Sequence, residues 1–263
     1  PPTSTWSSPE ILFKWTKIEK RLKGFKLEAA EGTIHKGEVI GILGPNGIGK
    51  TTFIKTLSGE EPPRKGKIQQ FTELTVSYKP QYISFNYEGN VREYLEEAAG
   101  DDFNTTLYQT EILKPLRMEK LFDRNLNELS GGEAQKTIIA SCLSKKATLY
   151  LLDEPSAFLD VEERLVVAKL IRRNVENAGS AAIVVEHDVS VQDFIADKLM
   201  PFDGKPGEEG YAHPPANLRD GMNTFLTDLA VTFRRDPTTG RPRMNKENSQ
   251  MDRYQKEKRE YYY

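Results

Sequence analysis

Short apolar runs alternate with amphipathic segments along most of the chain. Three of these runs have the length and composition of buried strands: EVIGIL at 38–43, ATLYLLDE at 147–154 and AAIVVEHD at 181–188. A glycine-rich loop and a helical segment that closes on Gly59 follow the first run, and residues 161–175 also have a helical period. Buried strands that alternate with helices predict an α/β fold, with a mostly parallel sheet and helices on both of its faces.

Three stretches depart from this alternation. Residues 25–38 alternate apolar and polar side chains as antiparallel strands do, and they predict a β subdomain. Residues 88–129 are charged and helix-prone without a buried run, so we predict an inserted helical subdomain at about 88–145. From 201 to 221 the chain is rich in Pro and Gly, which is typical of a boundary. We therefore expect one domain at 1–200 and a separate segment at 201–263.

The segment after residue 221 combines a helical pattern with a polar end. Its apolar residues fall at helical spacing, so one face of this helix should be buried; they are Met222, Phe225, Leu226, Leu229, Ala230 and Phe233. Between Val231 and Tyr263, nine Lys or Arg stand against five Asp or Glu. We expect the densest basic group to face solvent and to contact either RNA phosphates or a partner domain; it consists of Arg234, Arg235, Arg241 and Arg243.

Composition narrows the classes of function. The 263 residues carry a net charge of −2, which gives no overall attraction to nucleic acid, and no apolar run approaches the ~20 residues of a membrane helix. Cys142 is the only cysteine, which excludes an internal disulfide and a thiolate metal cluster and favours a reducing cytoplasm. The chain begins without Met or a signal-peptide pattern, so we expect it to be part of a longer protein.

The sequence GPNGIGKT, from Gly44 to Thr51, fits the phosphate-loop pattern GxxxxGK[ST] between a strand and a helix. Its glycines let backbone N–H groups point at phosphate oxygens, at the positive end of a helix dipole. Lys50 should reach the terminal phosphates of a nucleotide, and the Thr51 hydroxyl should coordinate Mg²⁺. A chance glycine-rich turn is the alternative.

Polar residues near the ends of other strands supply further chemistry. Asp153 and Glu154 end the second run, at the carboxyl edge of the predicted sheet, where the phosphate loop is also expected. Asp153 would hold Mg²⁺, and Glu154 would orient or deprotonate the attacking water. His187 follows the third run, where it could sense the terminal phosphate. Gln81 could ligate Mg²⁺ or water through its amide.

The order of these motifs resembles the ATP-binding cassette ATPases. The resemblance covers Phe13 to about Pro201 and includes LSGGE at 129–133 and SAFLD, which ends at Asp160 of the D-loop. It implies that ATP is bound with adenine stacked on Trp15, or alternatively on Phe25, and that the phosphate loop supplies Gly44, Pro45, Asn46, Gly47, Ile48, Gly49, Lys50, Thr51 and Thr52. It also implies Mg²⁺ ligation by Thr51, Gln81 and Asp153, and catalysis by Glu154, His187, Gln81 and Lys50.

In that family the signature loop contacts ATP held by a second cassette. The residues implied here are Leu129, Ser130, Gly131, Gly132 and Glu133. Glu133 departs from the usual Gln, which changes the local charge. The small residues leave room for the γ-phosphate of the other domain in front of a helix N-terminus. Hydrolysis would therefore require two cassettes that face each other.

The end of the chain is similar to the hinge of the RNase L inhibitor family, the class E cassette proteins that split ribosomes. RDGMN and FRRDP carry this similarity, together with GRPR and NK further on. It implies that the chain is the second cassette with its hinge segment. The expected partners are the first cassette and the iron–sulfur domain of the same full-length protein, ribosomal subunits and translation termination factors, without membrane or DNA. No iron–sulfur cluster is expected in this chain.

Two other functions share the cassette motifs. A transporter motor uses the same closure, but its cassettes usually end soon after the His strand or carry a regulatory domain. A chromosome-maintenance ATPase places a long coiled coil between phosphate loop and signature, whereas 79 residues separate Lys50 from Leu129 here (129 − 50). The transporter motor remains the main alternative to ribosome recycling.

Overall fold

The computed structural model describes residues 10–71 and 73–263. Its strands are β1 (Ile11–Trp15), β2 (Ile18–Leu22), β3 (Phe25–Ala29), β4 (Gly32–His35), β5 (Val39–Leu43), β6 (Ile68–Gln70), β7 (Val76–Lys79), β8 (Leu149–Asp153), β9 (Ala181–Val185), β10 (Lys198–Lys205), β11 (Glu209–Ala212), β12 (Ala216–Asn217), β13 (Phe233–Arg235) and β14 (Pro242–Met244). Its α-helices are α1 (Lys50–Ser58), α2 (Val91–Ala99), α3 (Thr106–Tyr108), α4 (Gly131–Ser144), α5 (Val161–Ala178), α6 (Val189–Ile195), α7 (Leu218–Leu229) and α8 (Gln250–Lys258). The predicted α/β class is confirmed.

The chain divides into two compact units. The phosphate-loop unit comprises Phe13–Ile34, Val39–Gln70 and Glu186–Tyr263. The signature unit comprises the described part of Pro1–Leu12, with His35–Glu38 and Phe71–Val185. Across the part of the chain that the structure describes, no helix combines the length and the apolar composition that a membrane span requires.

The phosphate-loop unit is built on the strand order β2-β3-β11-β10-β5. β5 runs parallel to β10, while β11 and β2 run antiparallel to β10 and β3, respectively. All five residues of β5 are buried, which explains its continuous apolar run. Helix α7 packs on β10, and a Cβ atom at Gly221 would lie only 2.6 Å from Cβ of Leu199. A glycine is therefore required where this helix approaches the strand.

The signature unit contains three parallel strands in the order β9-β8-β7. Every residue of β8 and β9 is buried, as the two apolar runs predict. Helices α4 and α5 both begin with a capping box, in which Ser130 pairs with Glu133 and Asp160 pairs with Glu163. Between residues 88 and 145 the structure has α2, α3 and α4 with short 3₁₀ and π helices, as the helix-prone composition suggests.

The end of the chain differs from the sequence prediction in three respects. Strand β10 crosses the predicted boundary at residues 200 and 201. Helix α7 ends at Leu229, because Ala230 adopts the left-handed conformation, so the helix does not extend to Phe233, which lies in β13. Leu229 is exposed rather than buried, Phe225 is half-buried, and the buried apolar side chains of α7 are Met222 and Leu226.

The polar tail is also more ordered than its composition suggests. Strands β13 and β14 form an antiparallel hairpin, and α8 follows it. A fully hydrogen-bonded polar cluster holds the hairpin to the helix; it consists of Thr232, Asn245, Asp252 and Gln255, all buried. Hydrogen bonding from Thr232, together with Lys256 and the backbone of Asn248, holds the pKa of Asp252 below its usual range despite burial.

Candidate functional site

The phosphate loop, residues 44–51, has the backbone geometry that its glycines predict. Gly47 and Gly49 have φ angles of 77° and 95°, in a region that side chains rarely adopt. Gly44 has no room for a side chain, because a Cβ atom there would lie 2.7 Å from the carbonyl oxygen of Phe202. The Lys50 side chain is buried, and its Nζ donates a hydrogen bond to the Gly44 carbonyl. The lysine ammonium therefore lies on the inner side of the loop.

The N-terminus of α1 is distinctive among the eight α-helices of the described residues. Gly49 precedes this helix and offers no side-chain cap. The other seven helices are all capped by a side chain, from Asn90, Thr105, Ser130, Asp160, Asp188, Asn217 or Ser249. The start of α1 therefore lacks a side-chain cap and stands at the positive end of the helix dipole, which favours an anion.

A hairpin braces the loop from within the same unit. The turn between β10 and β11 donates a hydrogen bond of 2.8 Å from the Gly207 N–H to the Gly47 carbonyl. At Gly210 in β11, an added Cβ would lie 1.8 Å from the carbonyl oxygen of Ile48. The hairpin therefore contacts the phosphate loop at two points, and the contact at Gly210 leaves no room for a side chain.

We expect Gly210→Ala to weaken ATP binding about tenfold, because the added methyl must displace the backbone at Ile48, and such overpacking costs about 1–3 kcal/mol. Nucleotide titration with a fluorescent ATP analogue measures the effect. Gly24→Ala is the control: φ is 70° there and no atom lies within 4 Å of the added Cβ, so it strains the backbone without touching the loop. Equal ATP affinity in both variants would show that the hairpin does not shape the loop.

Trp15 is not the adenine-stacking residue that the resemblance implies. It is buried, its Nε1 donates a 2.8 Å hydrogen bond to the Ala30 carbonyl, and its ring packs edge-on against Phe53. A Cβ atom at Gly32 would lie only 2.1 Å from the indole ring, so both the ring and Gly32 belong to the core. Phe25, the alternative, is half-buried, and its ring lies against Gly49 of the phosphate loop.

In the signature unit, Asp153 and Glu154 lie at the end of β8. Asp153 is buried, while Glu154 is half-buried and has a φ angle of 55°. This left-handed conformation costs a non-glycine residue about 1–3 kcal/mol, and it is disfavoured further because Pro155 follows. Strain of this kind persists only where surrounding contacts hold the residue in place.

Several hydrogen bonds hold Glu154. Its carbonyl accepts a 2.7 Å hydrogen bond from Nε2 of Gln135 and a 3.3 Å one from Nζ of Lys79, which also donates to the Asp153 carbonyl at 2.8 Å. The Gln81 amide donates to Oε1 of Glu154 at 3.2 Å. Gln81, Asp153 and Glu154, which the motifs single out separately, therefore lie together. Sequence reasoning missed Lys79 and Gln135.

The signature residues form the start of α4. The Ser130 Oγ accepts from the Glu133 N–H at 3.2 Å, and the Ser130 N–H donates to Oε1 of Glu133 at 3.0 Å. The backbone hydrogen bond from Ser130 lowers the pKa of Glu133, and Arg124 contributes. The charge introduced at Glu133 is thus stabilised locally. Leu129 precedes the cap in extended conformation.

The glycines of the signature fit against the loop that precedes α5. A Cβ atom at Gly131 would lie 3.2 Å from the ring of Phe158, and one at Gly132 would lie 3.0 Å from the Phe158 carbonyl. Phe158 is itself strained, with φ of 66°, and its side chain is 74% exposed. The close approach of this loop is therefore one physical reason for the two glycines.

Comparison with known proteins identifies the family. The ABC transporter family model matches residues 27–157. ABC transporter E family member 3 of Arabidopsis thaliana is 38% identical over 168 residues, which is 62% of this chain and 93% of that protein. The chain belongs to the E family of ATP-binding cassette ATPases. Members of this family bind ATP with Mg²⁺ and hydrolyse it.

Other relatives match almost the whole chain. An uncharacterized ABC transporter ATP-binding protein of Methanocaldococcus jannaschii is 54% identical over 253 residues, 96% of this chain and 42% of that protein. The chain thus spans about two fifths of the length of this relative. The crystal structure of an archaeal ribosome recycling factor, aABCE1, in complex with the archaeal ribosomal stalk protein aP1 superposes with a TM-score of 0.92 at 54% identity, over 97% of this chain and 49% of that chain. The P-loop fold of the E family, with its mixed sheet, is therefore confirmed.

The remaining E-family motifs lie at helix starts. Asp160 caps α5 and accepts a 2.8 Å hydrogen bond from the Glu163 N–H. His187 is exposed. Its backbone N–H donates a 3.1 Å hydrogen bond to the carboxylate of Glu186, which is buried. Asp188 follows and caps α6. His187 is therefore an exposed residue in the short connection between β9 and α6.

Several side chains of the motifs carry the oxygen donors that a magnesium ion requires. Magnesium prefers oxygen ligands and is usually held by one or two carboxylates and the substrate phosphates rather than by a closed protein cage. Thr51, Gln81 and Asp153 each carry an oxygen donor of this type. Pro45, Asn46 and Gly47 are exposed, and Thr51 and Thr52 are half-buried, so the loop is accessible from its outer side.

Proposed function

We propose that this chain is the second cassette, with its hinge segment, of a ribosome-recycling ATPase whose ATP-driven closure splits ribosomes into subunits. The observation that carries the proposal is the match to the archaeal ribosome recycling factor, which extends over 97% of the chain and includes the segment after residue 201. The proposed partners are the first cassette and iron–sulfur domain of the same protein, ribosomal subunits and translation termination factors.

The roles proposed for the residues follow from their chemistry. The phosphate loop binds the phosphates through backbone N–H groups and Lys50, and Thr51, Gln81 and Asp153 hold the Mg²⁺, which neutralises charge on the phosphates. Glu154 accepts a proton from water as the water oxygen bonds to the γ-phosphorus. The bond from that phosphorus to the β–γ bridging oxygen breaks, which leaves ADP and phosphate. His187 donates a hydrogen bond to the γ-phosphate.

The signature is proposed to act on the ATP of the partner cassette. Ser130, Gly131 and Gly132 stand at the N-terminus of α4, where N–H groups and the helix dipole favour a phosphate. ATP bound between two cassettes would therefore link them, and its hydrolysis would release them. This cycle converts nucleotide chemistry into relative movement of the two cassettes.

Lys50→Ala in the natural full-length protein tests the proposal. We expect ATP affinity to fall about 10- to 100-fold, because the substitution removes a charged hydrogen-bond donor from the phosphates. Splitting of ribosomes, followed by sucrose-gradient sedimentation with Mg-ATP, should be lost at ATP concentrations that saturate the unsubstituted protein. Lys55→Ala, on the same helix in the last turn, is the control and should split normally. Normal splitting by Lys50→Ala would overturn the proposal.

A further inference from the structure

Two fully buried polar side chains outside the family motifs converge on the main chain of Glu154. Lys79 ends β7 and is completely buried, as is Gln135 in α4. Lys79 Nζ donates to the carbonyls of Asp153 at 2.8 Å and Glu154 at 3.3 Å, and Gln135 Nε2 donates to the Glu154 carbonyl at 2.7 Å. We propose that Lys79 and Gln135 are positioning residues that hold Glu154 in its strained, reactive conformation.

Because Lys79 and Gln135 are buried, their hydrogen bonds to these carbonyls are difficult to replace. An ammonium or an amide removed from water is stable only where hydrogen bonds replace those of water, so each side chain must keep its carbonyl partners. Conversely, Glu154 has an unfavourable φ of 55° before Pro155, and it needs external contacts to remain there. The Ala157 N–H adds a third hydrogen bond to the same carbonyl at 3.2 Å. The main chain of Glu154 sets the position of its carboxylate. Loss of the hydrogen bonds from Lys79 and Gln135 should therefore displace this carboxylate.

Gln135 also links the signature to Glu154 through helix α4. It lies on α4, the helix that begins at the signature cap Ser130, so the same rigid helix carries the signature and holds the main chain of Glu154. A displacement of α4 by ATP engaged at the signature would be transmitted directly to the proposed base. This inference rests on the proposed function, because it assumes that Glu154 acts on water.

The experiment compares Lys79→Met and Gln135→Leu in the natural full-length protein. Both changes keep the approximate volume and remove the donor. We expect turnover at saturating ATP to fall about 10- to 100-fold, the range that misplacement of a catalytic group causes, with ATP affinity unchanged. Ser77→Ala is the matched control: Ser77 lies on the same strand as Lys79 and donates a buried 2.7 Å hydrogen bond to α4, but to the Cys142 carbonyl. Its turnover should stay near that of the unsubstituted protein.

A double-substitution cycle separates positioning from a general structural effect. In the Glu154→Gln background, Lys79→Met and Gln135→Leu should slow turnover by less than about twofold, because the group they position is already lost. Equal turnover in Ser77→Ala and both test variants, or an undiminished further slowing in the Glu154→Gln background, would overturn the inference. Failure of Glu154→Gln itself to slow turnover would instead overturn the proposed base. If Lys79→Met does not fold, Gln135→Leu alone decides between these outcomes.

Discussion

Glu154→Gln should lower ATP turnover by about 10²- to 10⁴-fold while ATP binding is preserved, since a positioned general base contributes a factor of that size. Glutamine has the shape of glutamate but cannot accept the proton of the attacking water. The main-chain hydrogen bonds from Lys79 and Gln135 remain, so the residue should keep its position. Single-turnover hydrolysis and nucleotide retention on a filter measure the two quantities separately. The variant should accumulate with ATP bound.

Glu163→Gln is the matched control for this experiment. Glu163 lies in the same unit and belongs to the capping box of α5, a role that glutamine also fills. It also pairs with Lys136 at 3.1 Å, where the Glu163 side chain is 36% exposed, so solvent partly screens the charge that the substitution removes. Turnover of this control should be normal. If Glu154→Gln also hydrolyses ATP at the normal rate, Glu154 is not the base.

The elements that the sequence predicts well are those with local signals. The run at 181–188 predicts β9 because a buried parallel strand needs a continuous apolar stretch. Gly59 predicts the end of α1 because it stops the helix in the left-handed conformation, with φ of 86°. The phosphate loop is recognisable for the same reason, since its glycines serve local backbone geometry. For the helix end and the phosphate loop, the deciding interaction lies within a few residues of the pattern.

The features that the sequence does not predict depend on distant contacts. Trp15 has a suitable distance from Lys50 along the chain, but packing against Phe53 and Gly32 buries its ring. Lys79 interrupts no pattern that periodicity detects, and its role depends on carbonyls 74 and 75 residues further along. The lysine that ends the strand VSYK was the available signal. The role of Lys79 can be recognised only when the carbonyls that it contacts are known.

The environment of the tail arginines also depends on contacts that the sequence does not predict. The expectation that the cluster faces solvent is wrong for Arg234 and Arg235, which are half-buried. Arg234 donates a 2.8 Å hydrogen bond to the buried Asn245. Arg235 donates two hydrogen bonds of 2.6 Å each to the carboxylate of Asp193 on α6. Charge counting alone cannot distinguish an exposed basic patch from internal ion pairs, because an acidic partner 42 residues away decides the outcome.

Arg235→Glu should therefore destabilise the chain rather than merely alter a docking surface. Asp193 is 15% exposed, and Tyr262 also donates to its carboxylate, while the guanidinium lies 5.1 Å from the centre of the Tyr262 ring. The Asp193 carboxylate raises the pKa of Arg235, which marks a favourable pairing. A glutamate at this position would face a like charge. A buried pair broken in this way costs about 3–5 kcal/mol, and because the Arg235 side chain is 37% exposed we expect the free energy of unfolding to fall by about 2–3 kcal/mol.

Urea titration of the 263-residue chain measures this loss, with Arg241→Glu as the matched control. Arg241 lies in the same hairpin, but it is exposed, so the same charge reversal should change the unfolding free energy by no more than about 0.5 kcal/mol. Asp193 belongs to the helix that begins just after His187, so loosening Arg235 should also free the start of α6, visible as faster amide exchange at Val191 and Gln192. Equal stability of the two variants would show that the pair with Asp193 does not hold the tail to the cassette.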